Sequence, residues 1–89
     1  MIVHLHDFGW HMDINLEYVC VQAGLRDKWY DQHGNSHTYI PFTMVHARKI
    51  FRLIKTYAEP EVLINAETYV LEYAQTHDNK RIWEQWEKA

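Results

Sequence analysis

Apolar and polar positions alternate at the start of the chain, with Met1, Val3 and Leu5 on one side and His4 and His6 on the other. A period of two suits a strand with one wet face, and Gly9 marks its end. The run Leu16–Val21 carries the β-favouring Tyr18, Val19 and Val21, and it reads as the next strand, with Ala23-Gly24 as the turn out of it. A hairpin is then expected between Lys28–Asp31 and His37–Ile40, because Gly34 and Asn35 in the intervening loop tolerate a positive φ. With Gly34-Asn35 as its turn, Tyr30 falls opposite Tyr39 and Trp29 opposite Ile40. Pro41 closes the strand, and Thr43 stands where a helix N-cap belongs.

From Met44 to Ala58 the period changes to 3.6. Ala47, Ile50, Phe51, Ile54 and Tyr57 share one face of this helix, while Arg48, Arg52 and Lys55 form a stripe almost opposite, with Lys49 beside it. Glu59-Pro60 interrupts the helix and opens the next, since the residue before proline resists the α conformation and proline is welcome at a helix start. Over 61–77, Val62, Leu63, Ala66, Tyr69, Val70, Tyr73 and Ala74 make one contiguous apolar face. Ile64 and Leu71 fall outside it. They are covered if the last helix folds back, and they form a protein-binding patch if it does not. Asp78 or Asn79 caps that short helix, Lys80–Lys88, in which Ile82, Trp83 and Trp86 lie together.

These elements predict a single α+β domain, β-hairpin-rich over 1–42 and helical over 43–89. An antiparallel sheet of three or four strands (about 2–8, 14–22, 26–31 and 37–42) would be packed on one side by two longer helices and a short C-terminal one. Eighty-nine residues leave room for one modest core and no second domain. Thirteen Phe, Trp and Tyr residues are too many for that core to hide completely, so some rings are expected at the surface, where such residues anchor partners. Cys20 is the single cysteine, so no intrachain disulfide forms, and between Val19 and Val21 it reads as a small buried hydrophobe. The start of the chain has neither a basic stretch nor a long apolar run, which points to a cytoplasmic protein that does not enter a membrane.

Charge is segregated more than the net −3 suggests. Residues 1–25 carry Asp7, Asp13 and Glu17 without Lys or Arg, residues 43–58 carry four cations and no acid, and residues 59–78 carry five acids and no base. The imidazoles of His4 and His6 share a strand face, with Asp7, His11 and Asp13 close behind, and a third ligand from a neighbouring strand would complete a metal site. The spacing matches no closed structural motif, so no metal ligand and no cofactor is assigned. Glu67 with Glu72, or Asp7 with His11, could be drawn as acid–base pairs. Ionisable residues this numerous meet by chance, no catalytic motif accompanies them, and no catalytic residue is assigned.

The series Trp29-Tyr30-Asp31, Gly34, Phe42-Thr43 and Ala47 resembles the hairpin-then-helix stretch of arm-type DNA-binding domains in phage integrases. That resemblance implies nucleic-acid binding, for which the basic helix 44–58 is the candidate contact. In size and in lack of motifs the chain is also similar to phage-encoded inhibitors of host enzymes, anti-CRISPR proteins among them. The function expected first is therefore a non-enzymatic interaction or inhibitor protein occupying an acidic surface on a larger protein. Arg48, Lys49, Arg52 and Lys55 would supply the charge and Trp83 and Trp86 the anchors. A nucleic-acid-binding domain and a His-rich metal-binding protein are the alternatives, and a free strand edge at residues 1–8 would permit a homodimer.

Overall fold

The computed structural model of the chain describes residues 1–23, 28–30, 33, 36–38 and 42–89. Strands β1 (Ile2–Asp7) and β2 (Trp10–Asn15) pair antiparallel from Ile2 opposite Asn15 to Asp7 opposite Trp10. Only Phe8 and Gly9 separate them. Gly9 takes φ +87°, a region in which a Cβ is strained, and the Asp7 carboxylate accepts the Phe8 N–H at 2.8 Å. The alternation is realised as expected on β1, where Val3 and Leu5 are buried and His4 and His6 exposed.

The expected strand over 14–22 is a helix for most of its length. Asn15 ends β2, and α1 runs Leu16–Ala23. Its buried residues, Leu16, Val19, Cys20 and Ala23, follow the spacing i, i+3, i+4, i+7. Asn15 accepts the Tyr18 N–H at 3.3 Å, as an N-cap side chain does for the third helical residue. Glu17 in the first turn complements the helix dipole. Local β-propensity loses here to a cap and to a face that must be buried.

The second hairpin forms with a different register. Strands β3 (Lys28–Tyr30) and β4 (Ser36–Thr38) pair Trp29 with His37 and Tyr30 with Ser36, and the expected turn residues Gly34 and Asn35 lie outside the described residues. Tyr39, Ile40 and Pro41, which the expected register needs, lie outside the described residues. The two hairpins form separate two-stranded sheets among the described residues, in place of one sheet of three or four strands. Helix α2 spans Phe42–Tyr57, so Thr43 belongs to its first turn and is not the residue before it.

Helix α3 (Pro60–Thr76) starts with proline as its first residue, preceded by an extended Glu59. It buries Ala66, Val70 and Ala74 with Val62, Leu63, Tyr69 and Tyr73 at the margin, the face its periodicity predicts. At its end the Asn79 N–H reaches the Ala74 carbonyl at 2.8 Å and the Asp78 N–H reaches Gln75 at 3.4 Å. These are the two bonds of a Schellman cap, with Asp78 at φ 48° where glycine is usual. Asn79 then caps α4 (Lys80–Lys88) by accepting the Ile82 N–H. One tight turn thus stops a helix and starts the next, sending α4 back along α3.

Core residues from β1, β2 and all four helices form one cluster, in which Trp86 is 1 % exposed. The Trp86 ring meets Phe51 edge-on at 5.2 Å, and its Nε1 donates to Glu67 at 3.1 Å. Trp86→Ala is expected to destabilise the fold by about 3–5 kcal/mol, measured by urea unfolding. Asp78→Gly should act in the opposite sense, raising stability by about 0.5–1 kcal/mol in the same assay, because it relieves the left-handed Cβ at the cap.

Candidate functional site

The residues expected to meet a partner divide in two. Trp86 lies in the core. Arg48 Nε donates to Gln85 Oε1 at 2.9 Å, and Lys55 donates to the Trp86 carbonyl with its Nζ 4.9 Å from the indole centroid. Both cations therefore bond to α4, Arg48 while remaining exposed and Lys55 half-buried, so the basic stripe faces outward but is partly engaged within the fold. The physical reason lies in the length of the side chains: they start at the flank of the Ala47–Phe51–Ile54 face and reach around to polar groups that α4 brings there. Lys49 and Arg52 stay exposed on α2.

Trp83, one residue position round α4 from the core, is half-buried and lines a groove between α3 and α4 of about 410 Å³. Leu71 and Ala74 of α3 form its apolar wall with Trp83. Asp78, Glu84 and Glu87 rim it, against a single cation, Lys80. The acidic rim has no counterpart in the expected site: Asp78 closes the acidic block 59–78, but Glu84 and Glu87 stand among Lys80, Arg81 and Lys88 in a stretch with no acidic excess. The last helix does fold back, yet it does not cover Ile64 and Leu71, which remain 64 % and 36 % exposed. Trp86 reaches Glu67, which lies between them on that edge, without covering either. Among the described residues, no helix is long and apolar enough to cross a membrane.

The wet face of the first hairpin gathers a different chemistry. Because the ladder places His4 opposite Asp13 and His6 opposite His11, four such side chains share the surface. His4 Nδ1 lies 2.6 Å and His11 Nε2 2.8 Å from the same oxygen, Asp13 Oδ1. The hydrogen bond from His4, with smaller help from His11, holds the Asp13 carboxyl below its usual range. Glu67, a carboxylate once available to an acid–base pair, is engaged by the Trp86 indole.

The chain matches no protein-family model, no curated protein and no solved structure at a significant level.

Cys20 is fully buried, and burial pushes its thiol up to about 11. A low-pKa nucleophile this is not. Ellman's reagent is expected to leave the native protein essentially unmodified over minutes at neutral pH and to titrate one thiol after unfolding in guanidinium. Rapid reaction of the native chain would show the α1 packing to be wrong.

Proposed function

We propose that this protein is a non-enzymatic binding module, an inhibitor or accessory factor that seats an apolar side chain of a larger protein between α3 and α4. The observation that carries the reading is the groove itself, an apolar floor of Leu71, Ala74 and Trp83 inside an acidic rim. A half-exposed tryptophan beside an exposed leucine supplies large contact area with few rotamers to freeze. The rim fits a segment carrying Lys or Arg beside its apolar anchor, because opposite charge steers encounter and disfavours acidic competitors. Ile64, seven residues before Leu71 on the same edge of α3, would lengthen the contact. Lys49 and Arg52 would serve an acidic stretch of the same partner.

Nucleic-acid binding through α2 draws less support, since Arg48 and Lys55 are turned onto α4 and fewer cations remain to neutralise phosphates.

The test uses the isotopically labelled chain and a helical peptide of alternating leucine and lysine clusters, followed by amide NMR. Saturable shifts centred on Leu71, Gln75 and Trp83 are expected. The same peptide with glutamate for lysine should bind at least about tenfold more weakly, one decade being 1.4 kcal/mol. Leu71→Asp should abolish the shifts while leaving the circular dichroism spectrum intact. Shifts elsewhere, or none, or equal affinity for both peptides, would show that the groove is not the binding site.

A further inference from the structure

The wet face of β1 and β2 presents three side chains whose ligating atoms lie within 4.8 Å of one another: His4, His11 and Asp13. We propose that this cluster is a binding site for a late first-row divalent metal ion, copper(II) or zinc(II), with His4 Nδ1, His11 Nε2 and Asp13 Oδ1 as ligands. The site is separate from the α3–α4 groove.

The donor set decides the class of ion. Two imidazoles and one carboxylate suit zinc and copper, whereas calcium and magnesium take oxygen ligands. Geometry decides that one ion can reach all three. Ligands about 2.0–2.1 Å from a tetrahedral ion stand about 3.3 Å apart, from zinc–nitrogen and zinc–oxygen bond lengths. Both nitrogens already converge on one carboxylate oxygen at 2.6 and 2.8 Å and lie within 4.8 Å of each other, so an ion would have to spread each nitrogen–oxygen pair by less than about 1 Å and draw the two exposed imidazoles together by up to about 1.5 Å.

The strand ladder supplies preorganisation. His4 and Asp13 are directly paired, and His11 is two residues along β2 on the same face. The two imidazole rings are nearly parallel, 20° apart with centroids separated by 6.3 Å, and they flank the carboxylate from either side. His6, opposite His11 in the register, stands on the same face, and a three-ligand site leaves its fourth position to water or a further donor.

Electrostatics favours a cation here as well. Residues 1–25 contain Asp7, Asp13 and Glu17 and no lysine or arginine, so no side chain of this segment competes for the Asp13 carboxylate as a fixed positive charge. The ligands are exposed and the buried partners of the same strands are Val3, Leu5 and Ile14, so the ligands can be replaced without touching the core.

Isothermal titration of the full chain with zinc chloride and with copper chloride, in a non-coordinating buffer, tests the site. A one-to-one isotherm with a dissociation constant well below millimolar is expected. His4→Asn and His11→Asn should each weaken binding by at least about tenfold, a loss that even second-shell changes produce at metal sites. Asp13→Asn should do the same, while His77→Asn changes nothing. In the NMR spectrum, substoichiometric zinc should move the imidazole signals of His4 and His11 first. Two results would overturn the assignment: no saturable binding by the wild-type chain, or binding that survives the His4→Asn/His11→Asn double variant because histidines elsewhere carry it.

Discussion

The indole of Trp86 must leave water at both its ring and its N–H, and the helical half of the molecule is arranged around meeting both needs. An indole donor buried without an acceptor would cost several kcal/mol. Glu67 of α3 supplies the acceptor, Phe51 of α2 the ring contact, and Lys55 of α2 a cation against the π face and a donor to the Trp86 backbone. One side chain of the shortest C-terminal element therefore ties α4 to both longer helices. The direction in which α4 returns, and so the groove on its other flank, follows from where this residue has to go.

How far this was legible depended on whether the relevant contact is local. The faces of α3 and α4 are written in a 3.6-residue period strong enough to survive translation into structure, and Asn79 was one of two expected caps. The stretch after Asn15 carried two conflicting signals. Tyr18, Val19 and Val21 favour a strand, while Leu16, Val19, Cys20 and Ala23 mark a helical face, with Asn15 as the cap before it. The helical signal won because burying those four side chains outweighs a preference of tenths of a kcal/mol.

The candidate surfaces were legible to a lesser degree, for a reason that is also physical. A helical wheel shows where a Cβ points but not where a long cationic side chain ends, and Arg48 and Lys55 end on a neighbouring helix. Leu71 stood out as an apolar residue off the main face, yet nothing local could say whether α4 would cover it. His4 and His6 were visible as a pair. The meeting of His4 with Asp13 depended on a two-residue turn at Phe8-Gly9, which fixes the count of residues between the strands.

That turn gives the first hairpin an error-checking property. Sliding one strand past the other by a single residue would drive Val3 and Leu5 into water and the imidazoles into the interior at once, each burial term being about 1.5–3 kcal/mol for the apolar side chains alone. Oil-seeking groups on the hidden side thus act as the ruler for polar groups on the visible side. Substitutions on the outer face leave this ruler intact, provided the inner positions stay apolar.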